Sequence, residues 1–225
     1  MSLKTISPDE VTYYALNNEI NIPVNDQIPL NKDKEALQAF LTENVAPNTM
    51  KFASLQERLK YLVEHHYYEA DFLKKYQPAF LEKLNQFLTA QHFQFKSFMA
   101  AYKYYAQYAL KTDDGTQYLE DYKDRVFANA LFFADGNEDL AVDLADEMIH
   151  QRYQPATPSF LNAGRARRGE LVSCFLLQIT DDMNSIGRAI NSALELSRIG
   201  GGVGLTLSNL REAGAPIKGI DGAAS

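Results

Sequence analysis

The sequence predicts an α+β chain in two unlike parts, a mainly helical N-terminal region and then the start of an α/β unit. Charge is the first indication. From Gln151 onward eight Lys and Arg face six Asp and Glu, a net of +2, which leaves −9 for the first 150 of the 225 residues. Composition is the second: of 12 glycines only Gly115 and Gly136 lie in the first part, and of 26 Phe and Tyr residues only Tyr153, Phe160 and Phe175 lie in the second. The third is rhythm, because apolar residues recur at three- and four-residue spacing as far as Gln151 and then give way to short apolar runs divided by Gly and Pro. The domains are therefore expected at 1–153 and 154–225.

Seven segments of the first part have the helical period: Lys34 to Leu41, Ser54 to Glu64, Ala70 to Tyr76, Pro78 to Ala90, Phe95 to Ala109, Leu119 to Ala134 and Asn137 to Gln151. In the last, Leu140, Leu144, Met148 and Ile149 are expected on one face, and acidic residues gather near its start, where the helix dipole favours them. Tyr102, Tyr104, Tyr105 and Tyr108 read as packing between helices, with hydroxyls at the rim, rather than as a stacking or radical-transfer surface. His65 and His66 lack a further His at helical spacing, which favours a surface or capping role over metal binding.

In the second part, Pro155 to Gly169 holds Pro, Gly, Asn and three arginines and reads as an extended loop, while Glu170 to Ile179 is an apolar run of strand length. Asp181 and Asp182 stand where they can cap a helix to about Arg198. Gly200-Gly201-Gly202-Val203-Gly204 then leads into the apolar stretch Val203 to Leu207. Strand, helix, glycine turn and strand make a βαβ unit, and so a parallel sheet or barrel. One such unit does not cover both faces of a parallel sheet, and the chain stops at Gly222-Ala223-Ala224-Ser225 without a closing element, so truncation is expected.

The net charge of −7 argues against a duplex-DNA binder, which needs a basic face to displace counterions, but not against a small nucleotide ligand. No run approaches the roughly 18 apolar residues of a membrane span, and Met1 to Glu10 lacks a basic-then-apolar leader pattern. A soluble cytoplasmic chain is expected. Cys174 is the single cysteine, which excludes an internal disulfide, and so few Cys and His argue against structural zinc.

Taken singly, the chemical signals are weak. The glycines of Gly200 to Gly204 permit close backbone approach to an anionic oxygen, and a tight turn accounts for them equally well. The loop is not of Walker A type, and Leu207 stands where the GxGxxG fingerprint counted from Gly202 needs its third glycine. Cys174, after Ser173 in an apolar run, reads first as inert core and second as a catalytic thiol in a barrel lumen, and two-electron thiol chemistry requires a second sulfur. Arg165, Arg167 and Arg168 read as solvated loop before they read as a phosphate site. Arg211, with Asp181 nearby, fits a phosphate-holding role and a structural salt bridge equally. No Ser-His-Asp triad or paired-carboxylate hydrolase pattern is present.

Three segments in order carry a resemblance: Thr157-Pro158-Ser159-Phe160-Leu161-Asn162-Ala163-Gly164, Glu170-Leu171-Val172-Ser173-Cys174-Phe175, and Gly200-Gly201-Gly202-Val203-Gly204 continuing to Arg211-Glu212-Ala213-Gly214-Ala215-Pro216-Ile217-Lys218-Gly219. Together they closely resemble the large subunit of aerobic ribonucleoside-diphosphate reductases. The Tyr-rich helical start, with Ala15-Leu16-Asn17-Asn18-Glu19, is similar to the N-terminal domain of the bacterial class Ib form, which typically lacks a complete ATP-cone.

The resemblance implies a helical N-terminal domain leading into a ten-stranded α/β barrel of two antiparallel halves. It also implies a reaction in which the 2′-OH of a ribonucleoside diphosphate is replaced by hydrogen, through a transient thiyl radical and oxidation of a cysteine pair. Cys174 matches the first-strand cysteine of that pair, a source of reducing equivalents and of a proton for the departing 2′-OH. Thr157 and Ser173 match substrate contacts, and the backbone at Gly201 and Gly202 matches the turn that approaches the nucleotide. Asp181, Asp182, Met183, Arg211 and Ile217 match an allosteric site where a deoxynucleoside triphosphate or ATP selects the base to be reduced. In the family that effector lies at the dimer interface, so the helix from about Asp182 to Arg198 is expected to pack in a homodimer.

The implied partners are a radical-generating small subunit, which carries the dinuclear metal and tyrosyl radical, and a glutaredoxin-like or thioredoxin-like reductant. No metal is expected in this chain, and neither a nucleic-acid polymer nor a membrane is an expected partner. The radical cysteine, the second redox cysteine and the shuttle cysteines would lie beyond Ser225, so the 225 residues are expected to be inactive alone. The alternative readings are a non-catalytic nucleotide-binding regulatory module that uses Arg211 and the glycine turn, and a helical interaction domain with Cys174 in its core.

Overall fold

The computed structural model describes residues 11–20 and 30–224; Met1 to Glu10, the stretch read for a leader, and Ser225 lie outside them. Ten α-helices and two strands follow in order among the described residues: α1 (Thr12–Ile20), α2 (Leu30–Phe40), α3 (Leu55–Glu64), α4 (Ala70–Leu73), α5 (Pro78–Ala90), α6 (Phe98–Lys103), α7 (Tyr122–Ala134), α8 (Glu138–Ile149), α9 (Thr157–Asn162), β1 (Cys174–Gln178), α10 (Met183–Arg198) and β2 (Gly202–Thr206). Single π turns, Leu41–Val45 and Tyr104–Tyr108, extend α2 and α6. The chain groups into two compact units. The first runs to Pro155 and takes in Ala163–Arg168; the second comprises Ala156–Asn162 and the chain from Gly169 on. No described helix is long and apolar enough to cross a membrane.

Short polar side chains set the helix starts by accepting otherwise orphaned N–H groups. Ser54 accepts from the Glu57 amide, Ser97 from Ala100 and Asn137 from Leu140. At α7, Asp121 and Asp124 each accept from the other's backbone N–H, a reciprocal capping box. These caps explain why two predicted helices begin later than periodicity alone suggests: at Phe98 rather than Phe95, after Ser97, and at Tyr122 rather than Leu119, after Asp121. The predicted helix from Ala70 to Tyr76 stops at Leu73.

Helix α7 is interior. Val126, Phe127, Ala128, Ala130 and Leu131 are all buried, as befits a helix apolar on most of its faces. Helix α8 packs against it and buries Ala141, Ala145, Met148 and Ile149, while Leu140, expected on the buried face, is exposed. The buried face of α8 is thus partly alanine, which periodicity of large residues does not reveal. The tyrosine run packs between helices as expected. Tyr104 and Tyr105 are buried, the Tyr104 hydroxyl donates to the Asp121 carbonyl at 2.6 Å, and Tyr14 donates to Tyr102 at 3.1 Å. Beside them Phe40 meets Phe98 edge to face, with ring centroids 5.7 Å apart. His65 caps the C-terminus of α3, and its ring meets Tyr61 at a tilt of 38°, with centroids 4.2 Å apart.

A buried charged cluster closes this unit. Glu120 receives the Tyr68 hydroxyl, Arg125 Nη1 at 3.2 Å, Arg165 Nη2 at 3.0 Å and the Leu110 amide at 3.1 Å. Burial pushes this carboxyl up, but the Arg125 and Arg165 guanidiniums and the Tyr68 hydroxyl outweigh it and hold the group below the usual range. Arg125 and Arg165 also donate to the Ala163 and Tyr108 carbonyls. Gly164, between Ala163 and Arg165 in the chain, has φ +73°, and a Cβ there would sit 2.9 Å from the Phe72 ring, so glycine suits the turn.

This arrangement corrects the expectation for Pro155 to Gly169. Part of the segment is not a solvated loop, because Thr157–Asn162 is helical, with Pro158 in its first turn, and Arg165 is buried in the Glu120 cluster, whereas Arg167 and Arg168 lie in exposed irregular chain as expected. Arg167 pairs with Asp113 at 3.1 Å and lies over the Tyr67 ring, and Arg168 pairs with Glu69 at 3.1 Å. All three arginines have structural partners.

Candidate functional site

In the second unit β1 and β2 pair in parallel with α10 between them in sequence, the βαβ unit that the sequence predicts. Cys174 faces Gly202, Phe175 faces Val203, Leu176 faces Gly204 and Leu177 faces Leu205. Alternation sorts these residues. Phe175 and Leu177 are half-buried and Ile179 is buried on the side where α10 packs, whereas Cys174, Leu176 and Gln178 are exposed.

The Cys174 thiol is therefore on the open face. The reading of this cysteine as inert core is corrected, because its strand position puts it opposite the face that α10 covers. Its partner across the ladder is a residue without a side chain, and the next open-face pair sets Leu176 beside a second glycine. Leu176 is 87% exposed. The thiol thus borders bare backbone at Gly202, while the Leu176 side chain lies against Gly204.

The neighbouring candidates fall into two groups. Ser173 precedes the thiol, and its carbonyl accepts the Gly202 amide at 2.7 Å, so Ser173, Gly201 and Gly202 lie together at the start of the strand pair. Thr157 opens α9. That helix is tied to the chain entering β1 by the Ser159 hydroxyl on the Leu171 carbonyl and by Asn162 on the Glu170 carbonyl, both at 2.9 Å. Ser159 and Asn162 were not singled out from sequence; their spacing to the strand is the available signal.

The second group lies at the other end of β1. Asp182 caps α10, accepting from the Ser185 amide at 2.8 Å and from the Thr180 hydroxyl at 2.7 Å, and the Thr180 hydrogen bond leads the causes that hold its carboxyl below the usual range. Arg211 Nε meets Asp181 Oδ2 at 2.6 Å, which favours the salt-bridged alternative for this arginine; an anionic ligand would compete with Asp181 for the guanidinium. Asn209, missed from sequence, donates to the Ile179 carbonyl at 3.2 Å and braces the return from β2. Met183, at the first position of α10, is 80% exposed, and Ile217 forms a backbone bridge with Ile220 in the loop after Arg211.

Met183, Ile190 and Leu194 recur at helical spacing on α10 and are all exposed. An apolar stripe of this kind on a capped sixteen-residue helix is a surface that association would cover.

Comparison with known proteins is consistent over nearly the whole length. Residues 13–93 match the family model described as ribonucleotide reductase N-terminal, residues 94–168 the ribonucleotide reductase all-alpha domain, and residues 172–225 the ribonucleotide reductase barrel domain. The chain is 48% identical over 211 residues to the ribonucleoside-diphosphate reductase subunit alpha of Bacillus subtilis (strain 168), covering 94% of this chain and 30% of that protein. The subunit alpha of Mycoplasma pneumoniae is 45% identical over 227 residues, covering 100% of this chain and 32% of the relative. That of Mycoplasma genitalium is 49% identical over 193 residues, with 86% and 27% covered. The chain spans about a third of the length of these relatives.

Proposed function

The chain belongs to the ribonucleotide reductase family as an alpha-subunit sequence, and from that premise we propose that Cys174 is one sulfur of the cysteine pair that reduces a ribonucleoside diphosphate. The observation that carries this reading is the exposed thiol on the open face of β1, opposite Gly202. Replacing the 2′-OH by hydrogen takes two electrons and two protons, with the oxygen leaving as water. Two thiols supply them by becoming a disulfide. Cys174 is the single cysteine among these 225 residues, so the second sulfur comes from outside them, and on this reading the 225-residue chain does not turn over by itself.

Ser173, Thr157 and the backbone at Gly201 and Gly202 are the substrate side of the proposed site. Asp181, Asp182, Met183, Arg211 and Ile217 form the proposed effector site for a deoxynucleoside triphosphate or ATP. There Arg211 would exchange Asp181 for a phosphate oxygen. The exposed stripe of α10 supports packing against a second copy of the subunit. The proposal includes a cytoplasmic class Ib enzyme, a small subunit that supplies the radical from its dinuclear metal and tyrosyl centre, and a glutaredoxin-like or thioredoxin-like reductant that restores the thiols.

The test is Cys174→Ser in a complete alpha subunit carrying this segment, assayed for deoxynucleotide formation with the small subunit and a dithiol reductant. Multiple turnover falls at least a hundredfold while the helical content is unchanged. Undiminished turnover removes Cys174 from the redox pair.

A further inference from the structure

We infer that Phe175 is a positioning residue for Cys174: its ring, seated over Gly201, pins β2 in the register that sets Gly202 opposite the thiol. The inference rests on the reading of Cys174 as the functional sulfur, and it assigns a task to the residue beside it on the opposite face of the strand.

The geometry starts from Gly201. A Cβ built there would lie 2.4 Å from Phe175 Cε2, 2.7 Å from Phe175 Cδ2 and 2.9 Å from the Leu196 carbonyl oxygen. The space is filled by the aromatic ring from one side and by the last turns of α10 from the other. Phe175 itself pairs with Val203, so the ring lies over the diagonal neighbour two residues earlier on β2. The residues two positions to either side of Gly201, Ile199 and Val203, both carry a Cβ. Sliding β2 by two residues in either direction would bring one of them under the ring.

Two kinds of register error are thereby excluded by two different devices. A slip of one residue turns the half-buried Val203 away from α10 and the glycines toward it, and loss of its apolar burial opposes it. A slip of two residues keeps every side chain on its own face, so burial does not oppose it. The Phe175 ring on Gly201 does. The consequence for the thiol is direct, since only the native register presents Gly202 to Cys174. The amide of Gly202 is held to the Ser173 carbonyl at 2.7 Å in the same arrangement.

Disulfide trapping in the 225-residue chain reads the register without nucleotide or turnover. Directly opposed residues in neighbouring strands are about 4.8 Å apart, and a two-residue diagonal is about 8 Å, beyond the roughly 7 Å limit for a disulfide. Gly202→Cys and Gly204→Cys are made separately, and a Cβ has room at position 202, where its nearest neighbour is 3.6 Å away. Each variant is equilibrated in a glutathione buffer. Two thiols lose two protons and two electrons, and oxidised glutathione accepts them to give two reduced molecules. With Phe175 present, the equilibrium constant for the 174–202 bridge exceeds that for 174–204 by at least tenfold. Phe175→Leu narrows the ratio at least threefold by raising the 174–204 bridge, and Phe175→Tyr, which keeps the ring, restores it.

An unchanged ratio in Phe175→Leu overturns the inference. So does a parallel fall of both bridges, which would mark general loosening rather than loss of register. The turnover of Cys174→Ser and this ratio are independent: a dispensable thiol would remove the proposed function and leave the pin, and an unaltered ratio would remove the pin and leave the function.

Discussion

Glu120 in the helical unit and Asp181 in the strand unit each meet arginine, but under opposite conditions. Glu120 has no exposed side-chain surface and is enclosed by Arg125, Arg165 and Tyr68; Asp181 meets Arg211 with about a third of each side chain open to water. A buried pair has lost its hydration, so removing one partner strands the others, whereas an exposed pair exchanges its partner for water or for an incoming anion at little cost. The first contact is built to persist and the second to be exchanged. That difference accords with the proposal above, in which the ligand-facing groups belong to the strand unit.

The largest expected effect breaks this comparison at its strong end. Glu120→Gln leaves Arg125 and Arg165 buried without their carboxylate and costs about 3–5 kcal/mol, read as loss of helical circular dichroism in urea. Asp181→Asn, measured in the same way, costs less than about 1 kcal/mol. Equal costs for the two would show that burial does not separate the pairs.

An intermediate effect sharpens the comparison within one short stretch, because neighbouring carboxyls at the start of α7 shift in opposite directions. Burial and the Asp124 carboxylate push Asp121 up to about 6. Burial also raises Asp124, but Arg58 and Lys123 outweigh it and hold that group below the usual range. The consequences for stability have opposite signs. A carboxyl raised on folding favours the fold while it is protonated, fully below its unfolded value near 4, and the benefit is lost as pH rises through about 6. Asp124 and Glu120, lowered on folding, contribute above the ordinary carboxylate range and lose that contribution as pH falls through their folded values. Asp121→Asn keeps a good N-cap and removes the titration. Its stability relative to the unsubstituted chain rises between about pH 4.5 and about pH 7, measured by urea unfolding. A pH-independent difference would show that Asp121 keeps an ordinary carboxyl in the fold.

Local rules made much of this chain legible. Pro78 and Ala90 bound α5 as periodicity predicts, Asp182 caps α10 to Arg198, and the apolar run around Cys174 pairs in parallel with the stretch after the glycines. The misreadings arise where a long-range partner decides. Arg165 reads as a loop arginine until Glu120, far away in sequence, is seen to bury it. Leu140 reads as core until it is found exposed while Ala141 and Ala145 are buried, and Cys174 reads as core until the side of β1 that α10 covers is known. The site residues were legible as matched segments rather than as chemistry. The Asp181–Arg211 pair is the exception, since a helix start and the end of a following strand are expected to be near each other.

The smallest effect on stability tests the weak end of the comparison. Leu176 is the most exposed of the large apolar residues described, on the same open face as Cys174, and its Cδ2 would lie 3.0 Å from a Cβ at Gly204. An exposed leucine gains little from folding, so Leu176→Ser changes unfolding free energy by less than about 0.5 kcal/mol. Association is where the substitution acts. A bare apolar strand face favours contact between copies, so sedimentation velocity over a wide concentration range resolves less dimer and higher oligomer for Leu176→Ser than for the unsubstituted chain. Ile190→Ser on α10 separates the two exposed surfaces: if it abolishes association while Leu176→Ser does not, copies meet through the helix stripe and the face beside Cys174 stays free for ligand.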